Sequence, residues 1–382
     1  MPYITVRQSP MYHQLTLEDL LFKSICEPAT ITFNIGNTRT VFVDELPERL
    51  RKGTRVNRLI RRLHQFNEST KELRERDRKS LYYSFDIPKK TRGWRHIDAP
   101  NPDLMDALRT LKTIFESDFG ALYHTSAFAY IKKRSTIDAV KRHQQNESKW
   151  FGKYDLSNFF GSTTMEFVMK QLALIYPFSE VIKVPQGKAE LETALDLAFL
   201  NGGLPQGTPI SPLITNIIMI PIDHRLYNAL RKFEIEGGSQ KFIYTRYADD
   251  FIISSRYDFS FRQIEQFLVD TLAEFGAPFT LNQKKTRYGS SAGSNWNLGV
   301  MLNGSNEITI GHARKRRFEC ALDSYSKCRN SDVPWEKEDV QVLAGQLSYY
   351  RMVEQEPIDK IVAHIGNKNG LDILAAIKED LK

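Results

Sequence analysis

Apolar and polar positions alternate in short runs through the middle of the chain and fall at helical spacing towards its end. Apolar and β-branched residues flank Tyr247–Asp250 on both sides, which predicts two short strands joined by a tight turn. Residues 82–100 have the pattern strand, turn, strand, and residues 150–155 have the pattern of a buried strand that ends in an acid. Apolar stripes predict helices over 102–118, over 260–275 and through most of the chain beyond residue 318.

Local signals indicate where several further elements lie. Ser135 or Thr136 is suited to begin a helix, and Pro212 favours a helix that starts near Ser211. Residues 49–62 hold seven basic side chains on an amphipathic pattern, typical either of a solvated helix face or of contact with a nucleic-acid backbone. Residues 279–286 predict a short strand that carries a pair of lysines.

The composition is that of a globular protein with an anionic partner. The chain has 382 residues, enough for two or three subdomains, and its net charge of +7 favours nucleic acid as that partner. Its three cysteines, Cys26, Cys320 and Cys328, lack the spacing of a zinc site or a disulfide framework, which indicates a reducing compartment. Because neither a membrane helix nor a signal peptide is evident, we expect a cytoplasmic protein with no membrane partner.

Two adjacent acids, Asp249 and Asp250, lie at the tip of the central predicted hairpin. Their like charges repel, and a turn needs only one Asp for its backbone bonds. A bound divalent cation would remove this repulsion, so the pair indicates a metal-binding turn, with a plain acidic hairpin tip as the alternative. Asp155, at the end of its own apolar strand, either caps the following helix or binds metal, because an unpaired buried carboxylate is costly.

Two loops have compositions suited to a phosphate-bearing ligand. The turn of the more N-terminal hairpin carries Lys89, Lys90 and Arg92, and Arg95 follows on the returning strand. These cations either close over a polyphosphate or form an exposed basic hairpin. The loop 201–217 combines three glycines, which permit close approach of another molecule, with three prolines that stiffen it, and such a loop is unusual for a simple connector.

The order of these motifs resembles that of reverse transcriptases. The motifs are, in order, the basic hairpin, a strand ending in Asp155 with an aromatic pair after it, Leu204-Pro-Gln-Gly-Thr-Pro-Ile-Ser-Pro212, Tyr247-Ala-Asp-Asp250, Asn282-Gln-Lys-Lys-Thr286 and Leu298-Gly299. The resemblance covers about residues 80–355 and is to bacterial enzymes: those of retrons, of group II introns and of the abortive-infection and other defence-associated group. Several motifs in register over this length argue against a chance match.

The resemblance implies an α+β chain with the right-hand polymerase fold. That fold has fingers, a palm made of an antiparallel sheet plus helices, and a helical thumb. The expected domains are a partly helical N-terminal extension at 1–80, fingers at 81–150, a palm at 151–295 with an interleaved fingers segment at about 165–205, and a primer grip and helical thumb at 296–382.

The resemblance also assigns the acids. It implies that Asp155 and Asp249 are the main metal ligands, that Asp250 is the third acid, and that Leu156 offers a backbone carbonyl to the second ion. The ions would be two Mg²⁺, with Mn²⁺ as an alternative, because Mg²⁺ prefers hard oxygen ligands. Lys285 matches the residue that protonates the pyrophosphate leaving group, and stabilisation of phosphate charge is an equally simple role for it.

Contacts to the nucleotide and to the nucleic acid follow from the same resemblance. Lys90 and Arg95 match the residues that grip the triphosphate, with Lys89 as a near alternative to Lys90; Phe160 matches the aromatic gate that excludes a ribose 2′-hydroxyl; Gln206 with Gly207 matches the floor of the nucleotide pocket. The primer-grip hairpin corresponds to Trp296–Val300, including Gly299, and the basic start of the thumb, which would contact a template–primer duplex by its backbone, is Arg314, Lys315, Arg316 and Arg317.

The function implied is an RNA-directed DNA polymerase that adds dNTPs by two-metal phosphoryl transfer. The expected partners are an RNA template, the DNA product, dNTPs, a non-coding RNA and either a partner protein or a second copy of the chain. One alternative is template-independent or protein-primed DNA synthesis at the same site. An alternative of another class is a non-catalytic RNA-binding protein with this fold, which the intact acids argue against, and Phe160 disfavours an RNA-copying RNA polymerase.

Subfamily signals favour an enzyme of bacterial anti-phage defence. Ser211-Pro212 departs from the pattern of diversity-generating retroelements, and the roughly 130 residues after Asp250 leave no room for the extra modules of group II intron enzymes. The Asn-Ala-x-x-His pattern of retron enzymes is replaced here by Asp138-Ala-Val-Lys-Arg-His143, and their Val-Thr-Gly is missing. We therefore expect a stand-alone defence-associated reverse transcriptase in preference to a retron enzyme.

Overall fold

The structure is a computed structural model in which two compact units can be described. Backbone and side chains are described for residues 55–88, 93–117, 123–231, 241–291, 298–329, 331 and 333–382; the backbone alone is described for 4–8, 11–15, 30–35, 37–42, 118–119, 232, 234–235, 238–239 and 295–297. Within these ranges, the first unit draws on 1–123, 158–221 and 275–278, and the second on 124–157, 222–274 and 279–382.

The first unit combines an antiparallel sheet, a hairpin and several helices. Its strands are β1 Ile4–Gln8, β2 Met11–Leu15, β3 Thr30–Ile35, β4 Asn37–Phe42, β5 Tyr82–Pro88 and β6 Trp94–Pro100, with the sheet order β2-β1-β3-β4 and a separate β5–β6 pair. Its helices are α1 Arg55–Ser69, α2 Lys71–Glu75, α3 Pro102–Phe119, α5 Phe159–Ser162, α6 Met165–Leu172, α7 Phe178–Lys183, α8 Pro185–Asp196 and α9 Ser211–Ile218, with a 3₁₀ turn at Arg78–Leu81.

Helix α1 forms the centre of the helical part of this unit. Val56, Leu59, Leu63 and Phe66 recur at helical spacing and are buried. This stripe packs against α3, α7 and α8, while the basic residues between its members stay on the outer face. The part of the predicted basic helix that precedes Arg55 lies outside the described residues.

The second unit is built on a four-stranded antiparallel sheet with the order β10-β11-β7-β12. A three-stranded sheet, β13-β14-β15, and a β8–β9 pair make up the rest of its described strands. The strands of this unit are β7 Trp150–Asp155, β8 Glu234–Ile235, β9 Gly238–Ser239, β10 Phe242–Tyr247, β11 Asp250–Ser255, β12 Arg287–Ser290, β13 Asn295–Asn297, β14 Val300–Leu302 and β15 Ile308–Thr309. The helices are α4 Thr136–Gln145, α10 Ile220–Lys232, which starts two residues inside the first unit, α11 Phe261–Glu274, α12 His312–Cys328, α13 Lys337–Val353, α14 Gln355–Asn369 and α15 Ile373–Asp380.

The second unit begins with a capped helix and ends with a group of packed helices. Ser135, one of the two cap candidates with Thr136, caps α4 in a reciprocal capping box with Asp138, and α4 packs against β10. The C-terminal helices α12 to α15 share one apolar core, which includes Phe318, Leu343 and Ile358. Among the described helices, none combines the length and the apolar character that crossing a bilayer requires.

One predicted element is wrong. Residues 279–286 do not form a strand: only Leu281 makes an isolated bridge, to Leu156, and the two lysines lie in the turn before β12. Asn282 explains the difference, because its backbone carbonyl accepts bonds from the N–H groups of both Lys285 and Thr286, which closes the chain into a turn.

Candidate active site

The strand register of the central sheet brings the predicted acids together. In the antiparallel pairing of β7 with β11, Asp155 lies directly opposite Asp250. Tyr247 pairs with Asp250 across β10 and β11, so Ala248 and Asp249 form a two-residue turn at the same end of the sheet. Directly opposed residues of antiparallel strands have Cβ atoms about 4.5–5.5 Å apart. Asp155 and Asp250, 95 residues apart in sequence, therefore meet at one end of the sheet.

The turn itself is strained and is held from the neighbouring strand. Ala248 has a φ of 56°, a left-handed conformation that costs an L-residue about 1–2 kcal/mol. The Asp249 carbonyl accepts a 3.1 Å bond from the backbone N–H of Leu156, the residue after Asp155. Backbone strain at such a position persists only where the surroundings fix it, and it is common at functional turns.

The electrostatics of the three acids reflect their crowding. The Asp155 side chain is 7% exposed, and its Oδ1 accepts a 2.8 Å bond from Lys285 Nζ. Burial, followed by the negative charges of Asp249 and Asp155, raises the pKa of Asp250 to about 7. The bond to Asp155 in turn raises the pKa of Lys285, which therefore stays protonated.

The chemistry of the acidic cluster suits a bound cation, although its side chains are not already arranged as a complete set of metal ligands. Asp155 Oδ2 is buried and accepts no hydrogen bond, so it lacks the partner that a buried carboxylate oxygen requires. Across the described part of the chain, no three His, Cys, Asp or Glu side chains are already arranged to hold one ion. The Lys285 ammonium group supplies positive charge to Asp155 instead. A divalent ion would give Asp155 Oδ2 a partner and would reduce the repulsion among the acids.

The first unit carries the residues predicted to contact the nucleotide. Phe160 lies in α5 with a half-buried ring, and its carbonyl accepts a 3.0 Å bond from the N–H of Leu204. The carbonyl of Gln206 accepts a 2.9 Å bond from the N–H of Asp98 on β6. Gly207 has a φ of 121°, and a Cβ there would lie 2.9 Å from the Asp98 carbonyl oxygen, so only glycine allows this close approach.

The predicted triphosphate grip is described only in part. Arg95 is exposed on β6, opposite Ile87 in the hairpin. Lys89 and Lys90 lie outside the described residues, as does Arg92.

The predicted primer-grip hairpin forms with a tight turn. Strands β13 and β14 pair with Asn297 opposite Val300, and Leu298 and Gly299 both have positive φ between them, as a type I′ hairpin turn requires. The Gly299 carbonyl accepts a hydrogen bond from Arg314 Nη1 at the start of α12. For Trp296 only the backbone, within β13, is described.

The four basic residues of α12 differ in their environments. Lys315 Nζ lies 2.7 Å from Glu354 Oε2, and that carboxylate also accepts bonds from Thr309 and from the N–H of Ile310. Lys315 therefore ties α12 to the end of α13. Arg316 and Arg317 are exposed, which makes them the better candidates for contact with a nucleic-acid backbone.

This division predicts separate effects on binding and on stability. The substitution Arg316→Gln should lower affinity for a primed duplex equally for all sequences and reduce the slope of log K against log salt by about 1. Lys315→Gln should leave that slope unchanged but reduce the free energy of unfolding by about 1–3 kcal/mol, because the largely buried Glu354 loses its charged partner. Binding titrations at several salt concentrations check this, with Lys360→Gln on α14 as the control. A reduced slope in Lys315→Gln alone would contradict the assignment.

Three buried polar residues support the hairpin that carries Asp249 and Asp250, and the sequence predicted no role at the site for any of them. Arg246 and Asp223 are both fully buried and paired, at 2.8 Å between Nη2 and Oδ2. His143 lies on α4, with Nδ1 2.6 Å from Ser254 Oγ and Nε2 2.8 Å from Thr245 Oγ1. A charge within an apolar strand signals that Arg246 needs a buried partner. Nothing in the sequence identifies that partner as Asp223.

His143 predicts a specific loss of stability in acid. Burial lowers its pKa to about 3, whereas an unfolded chain has a histidine pKa of about 6.5. Between these values the unfolded state binds the extra proton, so the stability is complete above about pH 6.5 and is lost as the pH falls towards 3. From pH 7 to pH 5 this group should remove about 2 kcal/mol.

Chemical denaturation of the native chain and of His143→Gln at both pH values checks this prediction. The variant should be less stable at pH 7, since Ser254 and Thr245 lose a partner, but its stability should change less with pH. The same pH dependence in both proteins would contradict it.

Comparison with known proteins identifies a family that includes the residues of this site. A model of the family described as Reverse transcriptase (RNA-dependent DNA polymerase) matches residues 87–318, more than half of the chain. Retron Ec83 reverse transcriptase of Escherichia coli is 27% identical over 294 residues, which cover 75% of this chain and 87% of that protein. Retron Mx65 reverse transcriptase of Myxococcus xanthus is 25% identical over 298 residues, 75% of this chain and 65% of that protein. These relatives carry the retron name that the motif departures disfavoured.

Two telomerase structures match more weakly. Apo telomerase from Candida tropicalis aligns with a TM-score of 0.42 at 14% identity, over 78% of this chain and 61% of that chain. Telomerase from Candida albicans, in complex with a fragment of telomeric RNA, aligns with a TM-score of 0.41 at 10% identity. The match covers 78% of this chain and 58% of the Candida albicans chain, so both telomerases are covered over less than two thirds of their length.

Proposed function

Because the chain belongs to the reverse transcriptase (RNA-dependent DNA polymerase) family, we propose that it copies RNA into DNA at Asp155, Asp249 and Asp250. The observation that carries this assignment is the register of β7 with β11, which sets Asp155 opposite Asp250 beside the Asp249 turn. Nucleotide addition requires an anionic cluster of this kind, because the attacking hydroxyl and the phosphates must be held and neutralised together.

The proposed metal ligands are Asp155 and Asp249, with Asp250 as the third acid and the Leu156 carbonyl as a further oxygen. The unpartnered Oδ2 of Asp155 and the raised pKa of Asp250 support a cation site here. Two divalent ions, Mg²⁺ or Mn²⁺, would supply charge stabilisation for the attacking 3′-hydroxyl oxygen, the transferred phosphate and the leaving oxygen.

Lys285 is proposed to act on the leaving pyrophosphate. Lys285 is protonated and its side chain is 62% exposed, so it is available to an incoming anion while it is bonded to Asp155. It would either donate a proton to the leaving oxygen or stabilise its charge.

Selection of the nucleotide is proposed for residues of the first unit. Phe160 would exclude a 2′-hydroxyl, Gln206 and Gly207 would form the pocket floor, and Arg95 with Lys90 would bind the triphosphate. Two backbone bonds support a common role: Leu204 to Phe160, and Asp98 to Gln206. They tie the gate and the basic hairpin to the same glycine-rich loop.

The biological setting is proposed as bacterial anti-phage defence in the cytoplasm with a non-coding RNA as template. The similarity to Retron Ec83 and Retron Mx65 reverse transcriptases supports a retron-type enzyme over the stand-alone type that the motif departures favour. Cys320 and Cys328 are free thiols, which fits a reducing compartment. Sequencing the nucleic acid that copurifies with the chain should yield one defined RNA with complementary DNA, and a random mixture would contradict this setting.

Primer extension tests the proposed activity. The purified chain, a defined RNA with an annealed DNA primer, four dNTPs and Mg²⁺ should give extended DNA, and omission of the RNA should abolish it. DNA that stays on the protein after nuclease and phenol treatment would indicate protein priming, and products formed without RNA would indicate template-independent synthesis. Absence of dNTP incorporation under all these conditions would overturn the proposal and leave RNA binding without catalysis.

A further inference from the structure

A buried ion pair lies beside the hairpin that carries the paired acids. Asp223 on α10 and Arg246 on β10 both have side chains with no solvent exposure. Asp223 Oδ1 accepts bonds from Arg246 Nε at 2.9 Å and from the Tyr244 hydroxyl at 2.6 Å, and its Oδ2 accepts from Arg246 Nη2 at 2.8 Å. Burial raises the pKa of Tyr244 well above its usual value, so this hydroxyl remains a donor.

Stability alone does not account for such a pair. Removing two charges from water is costly, and apolar side chains of similar volume often serve a protein core as well or better. What an apolar replacement could not supply is the planar fork of the guanidinium group, which donates in several fixed directions at once. One further bond of Arg246, beyond those to Asp223, therefore matters.

That bond reaches the catalytic turn. Arg246 Nη1 donates to the carbonyl oxygen of Ala248 at 3.2 Å, and Ala248 is the residue with the left-handed backbone. On the other side of the turn, the carbonyl of Asp249 is held by the N–H of Leu156. Two successive peptide groups of the turn are thus anchored: the one after Asp249 by the N–H of Leu156, directly beyond β7, and the one after Ala248 by the guanidinium that Asp223 orients.

We propose that Asp223 and Arg246 are positioning residues, which fix the strained Ala248–Asp249 turn so that Asp249 and Asp250 face the reacting groups. The inference rests on the proposed polymerase function. The carboxylate of Asp223 aligns the guanidinium, and the guanidinium holds the Ala248 carbonyl. Neither side chain touches the substrate, since both are enclosed in the core.

A nearby buried contact provides a matched control. Ser254 Oγ bonds to His143 and to Ser148, so it also links this hairpin to the rest of the unit. It lies four residues along β11 from Asp250, roughly 13 Å at about 3.3 Å per residue, and far from the turn. Ser254→Ala should lower the thermal midpoint while leaving kcat unchanged.

The test compares Arg246→Lys, Asp223→Asn and Ser254→Ala with the native chain below their unfolding temperatures. Arg246→Lys keeps the charge of the pair but lacks the planar fork that bonds Asp223 and Ala248 in fixed directions. It should therefore fold, lose about 10–100-fold in kcat and change KM for dNTP by less than about 3-fold. Asp223→Asn leaves a buried guanidinium unpaired; if it does not fold, Arg246→Lys alone decides. A kcat for folded Arg246→Lys within about 3-fold of the native value would overturn the proposal.

Binding of Mn²⁺, followed by its electron paramagnetic resonance signal, separates this proposal from the proposed function. Mn²⁺ should bind the native chain and Ser254→Ala equally and Arg246→Lys at least about 5-fold more weakly, because misplaced acids make a poorer site. If the native chain binds Mn²⁺ but incorporates no nucleotide, the polymerase function fails and the Arg246→Lys affinity still decides on positioning. Equal Mn²⁺ affinity in all three proteins would overturn the positioning role, whereas no binding to the native chain would overturn the proposed metal site on which that role rests.

Discussion

Asp249→Asn is expected to reduce dNTP incorporation on a primed RNA by about 10³-fold or more. The amide has the shape of the carboxylate but lacks its charge, so it should not bind a divalent ion with comparable strength. The chain should still fold, because the change removes one of the charges that repel Asp250. Single-turnover extension of a labelled primer measures the effect on the chemical step.

Asp270→Asn, on the exposed side of α11, is the matched control and should retain full activity. The thermal midpoint of Asp249→Asn should equal or exceed that of the native chain in the absence of metal. Retention of more than about a tenth of the native rate in Asp249→Asn would contradict a metal role for this residue.

Phe160→Ala is expected to raise rNTP incorporation relative to dNTP by about 10–200-fold, the range over which a pocket discriminates by shape alone. The ring is half-buried, packed edge-on against Phe159 at 5.7 Å between centroids, so its removal should open space without unfolding α5. Competition between one dNTP and the matching rNTP on the same template measures the ratio.

Phe160→Tyr keeps the ring and should keep the native preference for dNTP, which separates steric exclusion from a general loss of activity. If Phe160→Ala lowers incorporation of both nucleotides alike, with an unchanged ratio, Phe160 supports its loop and is not the gate.

The sequence predicts well those parts of the fold that depend on local pattern. The Asp249–Asp250 hairpin, the helix capped by Ser135 and the strand that ends in Asp155 all form as predicted. The predicted α+β polymerase fold is confirmed through the family that residues 87–318 match. The hairpin, the capped helix and the strand are each encoded within a few residues, by alternation, by a cap or by a turn, whereas the fold follows from the order of motifs along the chain.

The parts that the sequence does not predict depend on long-range partners or on competition between close alternatives. Asp223 and Arg246 are 23 residues apart in sequence, one on a helix and the other on a strand, and they meet only in the folded chain. Lys315 appears in sequence as one of four equivalent cations, and Glu354 alone distinguishes it. The strand predicted over 279–286 is wrong because the backbone carbonyl of Asn282 accepts bonds from the N–H groups of Lys285 and Thr286, which closes a turn. Apolar alternation cannot reveal such a turn.

The domain boundaries and the roles of Lys285, Phe160 and Gln206 stay predictions. For Lys89 and Lys90 the reason is direct, since the turn that carries them lies outside the described residues. For the others the backbone is placed, but the role depends on substrates that bind in the reaction.

The acids at the end of the β7–β11 pair are proposed to serve RNA-templated DNA synthesis. The most direct measurement extends one DNA primer on two RNAs that differ at a single position and sequences the products. We expect DNA complementary to each RNA, with the single difference copied faithfully and with both products lost in Asp249→Asn. Products with the same sequence from both RNAs, or undiminished synthesis by Asp249→Asn, would contradict this proposal.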